Sequence, residues 1–104
     1  MTEPMNKLSE VVRAYRDEQG LSLRDFAAQL SAELPQDGIS YQSVRNWETG
    51  EHAPNYHLLV TLMMHSGGWQ RDFAFDCLAA INPEYYKPAG RIGRVILEYQ
   101  NENN

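Results

Sequence analysis

With 104 residues, nine basic side chains against fourteen acidic ones and a net charge of −5, the chain has room for one hydrophobic core and not for two independent ones. Its single cysteine, Cys77, excludes an internal disulfide and fits a reducing compartment. No charged leader precedes an apolar run and no apolar stretch approaches the roughly 18 residues of a membrane span, so a cytoplasmic protein without a membrane partner is expected. The acidic balance argues against a nucleic-acid partner, because counterion release needs clustered Lys and Arg, although local distribution matters more than the sum.

After a polar lead, Met1 to Met5, the spacing of Leu8, Val11, Val12 and Tyr15 predicts a helix from about Asn6 to Gln19, with Arg13 and Arg16 off its apolar stripe and Gly20 ending it. A second helix is predicted from Ser22, whose hydroxyl forms a capping-box-like pair with Asp25. Phe26, Ala27, Leu30 and Leu34 make its stripe and Pro35 stops it. The stretch Pro35 to Gly38 is rich in turn formers. Between Ser40, a capping residue, and Gly50, which tolerates the left-handed conformation, about ten residues of a third helix fit.

The fourth helix is expected after Pro54, capped by Asn55, presenting Leu58, Leu59, Leu62 and Met63 until Gly67-Gly68 breaks it. Trp69 to Ile81 reads as a fifth helix with two apolar stripes, one of Trp69, Phe73, Cys77 and Ala80, the other of Phe75, Leu78 and Ala79. That is more than one-sided packing needs, and a partner subunit is expected to bury the excess. Asp72 and Asp76, four apart on this helix, read as a solvated face. Asn82 to Gly90 is a loop. Ile92, Val95, Ile96 and Tyr99 suggest a short last helix, although Gly93 weakens it and Val95 to Tyr99 could equally be a strand. Asn101 to Asn104 is a polar tail, and the chain carries no internal repeat or low-complexity segment.

The third helix holds the most informative residues. Val44 and Trp47, three apart, face inward, while Tyr41, Gln42, Ser43, Arg45 and Asn46 are free to point elsewhere. Gln42, near the helix start, can donate to and accept from adenine together; Arg45 can fork onto guanine or a phosphate, and Asn46 can do either job. The expected base contacts are Tyr41, Gln42, Arg45 and Asn46, and the expected phosphate contacts Ser22, Arg24, Ser43 and Thr49. The plainer reading leaves all of them as solvated surface. Lys87, Arg91 and Arg94 form a local positive cluster that would reach flanking DNA or stand as a solvated patch.

Enzymatic readings find no support. His57 and His65 are eight apart on one helix, too far for one metal, and the pair His52 and His57 crosses a helix start. Cys77 lies among apolar residues and reads as core rather than nucleophile. No glycine-rich phosphate loop, catalytic carboxylate pair or nucleophile motif is visible. No catalytic residue, metal, cofactor or small-molecule substrate is therefore assigned.

The residues Gly20-Leu21-Ser22, Phe26-Ala27, Leu30, Ile39-Ser40, Val44, Trp47-Glu48, Gly50, Pro54, Leu59 and Leu62 are arranged in a way that resembles the phage-repressor-like helix-turn-helix family of the lambda and 434 repressors and Cro. The resemblance covers roughly residues 6 to 66. The apolar surplus of the fifth helix leads to the expectation that 67–104 is a C-terminal extension of the same compact unit that would dimerise; the resemblance says nothing of those residues, and for 1–66 it implies a lambda-repressor-like DNA-binding domain, all-α with five or six helices in the whole chain. It further implies that positions matching Tyr41, Gln42 and Asn46 contact bases, and that Glu48 pairs with Arg16.

Three features depart from the family. Leu23 stands where a phosphate-binding Gln is common, Glu51-His52-Ala53 replaces a basic segment, and Ser31 to Asp37 is extra, adding Glu33 and Asp37 near a duplex. The reading is a bacterial or phage-type transcriptional regulator binding double-stranded DNA as a homodimer. The alternative is a protein-interaction module, an adaptor or antitoxin, that keeps the scaffold without strong DNA binding.

Overall fold

A computed structural model describes residues 4–35 and 38–98, and among them the structure is all-helical. Six helices follow in order: α1 (Pro4–Gln19), α2 (Leu23–Ser31), α3 (Tyr41–Thr49), α4 (Tyr56–His65), α5 (Gly68–Ile81) and α6 (Arg91–Ile96). The segment around Val95 is therefore helix and not strand. Tyr99, the Asn101–Asn104 tail, residues 1–3 of the lead, and Gln36 and Asp37 of the turn lie outside the described residues.

Each stripe expected from the sequence meets a neighbour. Leu8, Val11, Val12 and Tyr15 of α1, Phe26, Ala27 and Leu30 of α2, Val44 and Trp47 of α3, and Leu59 and Leu62 of α4 are all buried in one cluster. Aromatic rings knit its centre: Phe26 meets Phe73 edge-on at 5.5 Å and stacks on Trp69 at 5.2 Å, and Tyr15 meets Phe73 edge-on at 5.5 Å.

Three expectations need correction. The second helix does not reach Pro35; it ends at Ser31, and Leu34 is only half-buried. The reason is local. The Ser31 hydroxyl donates back to the Ala27 carbonyl at 2.7 Å and accepts the Ile39 N–H at 2.6 Å, so the chain is gathered at this point and turns away. Gly38 allows the close return, since a Cβ there would stand 3.1 Å from the Ser31 oxygen.

The second correction concerns α5. Its apolar surplus needs no partner subunit, because α5 is the central helix of a single chain, packed against α1, α4 and α6. Phe73, Ala74, Cys77, Leu78, Ala79 and Ala80 are buried, and Phe75 is half-covered with the Arg71 guanidinium 5.3 Å from its ring centre. Apolar residues on every side of the Phe73–Ile81 part of α5, Asp76 apart, are what a central position requires.

Asp76, expected in solvent, is wholly buried on that same helix. One carboxylate oxygen accepts the Ala89 and Gly90 N–H groups at 2.7 and 3.1 Å, and the other accepts the Tyr15 hydroxyl at 2.5 Å and the Gly93 N–H at 3.1 Å. Gly90, the N-cap of α6, has no side chain with which to cap it, and Asp76 supplies the missing acceptor from α5. A Cβ on Gly93 would fall 2.2 Å from the Asp76 carboxyl carbon, and one on Gly90 would fall 2.3 Å from the Tyr15 hydroxyl. The two glycines are what let the backbone close around the carboxylate. Burial raises the Asp76 pKa, with the hydrogen bonds from Tyr15 and the three backbone groups pulling the other way.

Candidate nucleic-acid interface

The third helix owes its start to Ser40, whose hydroxyl accepts the Ser43 N–H at 3.1 Å, and its end to Gly50, which adopts φ +86° and donates to the Trp47 carbonyl. Val44, Trp47 and Glu48 face inward and are buried. Tyr41, Gln42, Arg45 and Thr49 face outward and are exposed, and Ser43 and Asn46 are half-exposed at the edge.

The inward face is fixed to α1 by charge as well as packing. Arg16 makes a two-pronged contact with Glu48, Nε to Oε2 at 2.5 Å and Nη2 to Oε1 at 3.0 Å, while its third nitrogen bonds the Leu21 carbonyl at 3.1 Å. Hydrogen bonding to Glu48 raises the Arg16 pKa against the opposing effect of burial. Arg13 adds a bond to the Glu48 carbonyl at 3.3 Å, and Ser9 donates to the Trp47 carbonyl at 2.8 Å. The carbonyls at the end of α3 are thus met by α1 side chains rather than left to water. Sequence reasoning placed Arg13 off the apolar stripe but missed its positioning role and that of Ser9. Both lie on the α1 turns that carry Arg16, the only signal that could have pointed to them.

The outward face is open. Gln42 and Arg45 make no side-chain hydrogen bond or ion pair with any described residue. Arg24 of α2 lies over the Tyr41 ring, its guanidinium carbon 4.1 Å from the centroid, so the start of α2 and the start of α3 share one surface. Ser22 is spent in part on capping, accepting the Asp25 N–H at 3.1 Å, and the Ser43 hydroxyl meets that of Ser40 at 3.2 Å. Thr49 donates to the Asn46 carbonyl at 3.1 Å. Leu23, which cannot serve a phosphate, packs against the core. Exposed carboxylates at Asp25 and Glu51 stand among the same elements.

The basic residues near the end of the chain are not brought to this face. They sit on α6 and the loop before it, and α6 packs against α1 and α5. Arg91 is paired with Glu18 at 2.9 Å and Arg94 bonds the Ala89 carbonyl at 3.1 Å. Among the described residues no group of three His, Cys, Asp or Glu, the histidines His52, His57 and His65 included, could hold a metal ion. No described helix is long and apolar enough to cross a membrane. Cys77 is fully buried, and burial pushes its thiol well above the ordinary value, which leaves it protonated and inert.

Two short helices set across one another, the second anchored inward and bare outward, define a helix-turn-helix module. The helix-turn-helix family model matches residues 12–63, half of the chain, from the middle of α1 to the end of α4. The chain belongs to the Cro/C1-type helix-turn-helix family, whose members are DNA-binding regulators rather than enzymes. No curated protein and no solved structure is significantly similar to it.

Proposed function

We propose that the protein is a sequence-specific transcriptional regulator of bacterial or phage type, acting in the cytoplasm on double-stranded DNA. The observation that carries this reading is the division of α3: Val44, Trp47 and Glu48 are buried and tied to α1, while Gln42 and Arg45 are held out, unpaired with any described residue. A helix so fixed can enter a major groove without rearranging. Tyr41, Gln42, Arg45 and Asn46 would meet base edges, and Ser22, Arg24, Ser43 and Thr49 would meet phosphates. The stacking of Arg24 on Tyr41 favours a joint role for the two, one on the backbone and one at the groove edge.

With only Arg24 and Arg45 as exposed cations on α2 and α3, few counterions are released and a single copy binds weakly. A homodimer on two-fold related half-sites compensates by avidity. Since α5 is consumed by its own chain, such a dimer would use other surface, and the exposed apolar side chains Tyr56, Met64, Tyr85 and Val95 are the material for it.

One observation favours the adaptor reading: Asp25 and Glu51 flank the face and offset its two arginines. Selection of bound duplexes from a random pool, followed by Gln42→Ala and Arg24→Ala, separates the two. The regulator reading expects an enriched sequence, a base preference relaxed at one position by Gln42→Ala by about 1–3 kcal/mol, and a uniform loss from Arg24→Ala. A pool that yields no enriched sequence at low salt leaves the adaptor.

A further inference from the structure

Alone among the six described helices, α4 contains no Asp, Glu, Lys or Arg. Leu59 and Leu62 turn to the core and are fully buried, which leaves Tyr56, Val60 and Met64, each four residues from the next, as a ridge on another side. Tyr56 and Met64 keep 49 % and 71 % of their surface exposed, and Val60 between them is half-exposed. A surface helix ordinarily gives its outer face to charged residues. This one presents a ring, a branched aliphatic and a thioether, side chains that pack well on one another.

The ridge is balanced about its middle, with Tyr56 and Met64 each about 6 Å from Val60 along the helix axis. A second copy laid antiparallel across a two-fold axis at Val60 therefore sets valine on valine and each Met64 sulfur on the other chain's Tyr56 ring.

Charge continues the match. Only Ser66 and Gly67 join α4 to α5, so the first turn of α5 lies beside the end of α4. The chain beyond α5 returns to the start of α4, where the Tyr86 ring is 6.4 Å from that of Tyr56 and the two hydroxyls meet at 2.5 Å. Exposed Arg71 thus stands at the Met64 end of the ridge and exposed Glu84 at the Tyr56 end. Neither makes an ion pair with any described residue. The axis that sets Met64 on Tyr56 also brings each Arg71 toward the other chain's Glu84. A surface whose middle repeats under two-fold rotation and whose ends are opposite in charge is complementary to itself, and that selects a second copy as its occupant.

We propose that the α4 ridge is where two copies of this chain dock, antiparallel about Val60, with an Arg71–Glu84 contact between protomers at either end. The surface stands by itself; its use in setting two α3 helices on related half-sites rests on the regulator reading above.

Sedimentation equilibrium of the full chain should show a reversible dimer with Kd on the order of 10–100 µM, as expected of an interface below about 1,200 Å². Val60→Glu sets two carboxylates face to face on the axis and should weaken association at least about tenfold, while Gln19→Glu, the same charge on exposed α1, should leave it within about twofold. Met64→Ala, at a position too exposed to disturb the fold, should weaken it about fivefold and decides the matter if Val60→Glu does not fold.

The sharper test exchanges the charges. Arg71→Glu and Glu84→Arg should each weaken self-association about fivefold, since like charges then meet at both ends. Mixed in equal amounts, the two variants should associate within about twofold of the natural chain, because every contact across the axis is again between opposite charges. A pairing of the two residues inside one chain would not be restored by mixing. A chain that stays monomeric at about 1 mM, a dimer indifferent to the ridge variants, or a mixture no tighter than its components overturns the surface. If the dimer forms and no duplex is selected, the regulator reading fails and the surface stands; a selected duplex bound by a chain monomeric at about 1 mM keeps the regulator and removes the surface.

Discussion

Two carboxylates hold this molecule together from opposite ends, and they do so by different means. Glu48 fastens α3 to α1 with charge, meeting the guanidinium of Arg16 in two places and that of Arg13 in a third. Asp76 fastens α6 to α1 and α5 with none, taking four hydrogen bonds from a phenol and three backbone N–H groups. Glu48 keeps 8 % of its surface in water, whereas Asp76 keeps nothing. Near solvent, a pair of opposite charges is tolerable and its geometry can be sharp. Deep inside, a lone carboxylate is acceptable only when every lone pair is met, and neutral donors meet it without adding a second desolvated ion.

Substitutions that break one anchor and spare the other sharpen the contrast. The largest loss is expected from Asp76→Ala, which leaves three buried donors and the part-buried Ala89 N–H without an acceptor and should cost about 3–5 kcal/mol, the individual penalties of about 1–3 kcal/mol overlapping. Gly93→Ala drives a methyl group into the same carboxylate and should cost about 3 kcal/mol. Both are read from the urea midpoint, with the slope of the transition as a check on the unfolded state. Asp76→Ala destabilising by less than about 1 kcal/mol would mean that the cage contributes little.

Next comes Glu48→Gln, expected to cost about 2–3 kcal/mol by leaving a part-buried guanidinium without its counter-charge. Its signature is dependence on salt. Raising ionic strength to about 0.5 M should shrink the difference between Glu48→Gln and the natural chain while leaving that of Asp76→Ala unchanged, because buried neutral donors are not screened. Equal salt dependence of the two variants contradicts the distinction.

Tyr15→Phe is smaller, about 1–1.5 kcal/mol at neutral pH for one lost hydrogen bond, and its interest lies in alkali. Burial and the adjacent Asp76 push the Tyr15 phenol far above its ordinary value near 10. The unfolded chain releases this proton near pH 10 and the folded chain keeps it, so the folded state holds more protons. Stability therefore falls above about pH 10 by about 1.4 kcal/mol per pH unit from this group, and Tyr15→Phe should flatten that fall. Asp76, raised by burial, acts with the same sign in acid: its contribution is complete below the ordinary carboxylate range and is lost as pH rises through its folded value. The smallest effect is that of the α3 cap, where Ser40→Ala should cost about 1 kcal/mol in thermal stability.

The two anchors also differ in how far they could be read from residues alone. Helix positions were legible because apolar spacing is local, and so were the caps at Ser22, Ser40 and Asn55, each of which accepts a first-turn N–H. The Arg16–Glu48 pairing came from family resemblance, since spacing alone does not join residues 32 apart. Asp76 was misread because its partners are distant or belong to the backbone, and neither kind leaves a pattern in side-chain types. A trace was present nonetheless: an acid set among Phe73, Cys77 and Ala80 in the part of α5 from Phe73 to Ile81 that is otherwise apolar all round, with Gly90 and Gly93 placed where a cap was missing. The end of α2 was misplaced because Pro35 is a conspicuous stop signal and the Ser31 hydroxyl is an inconspicuous one. The residues of the outward α3 face were all identified by type, yet which of them stay unpaired follows only from three-dimensional placement.

The Ser31 clamp carries one more implication. By joining Ala27 to Ile39 through one hydroxyl, it ties the end of α2 directly to the approach to α3, as a drawstring closes the neck of a bag. What hangs beyond the knot can be lengthened, trimmed or exchanged while the reading rod keeps its seat. A lineage could thus vary the ornament between its second and third helices without relearning how to fold.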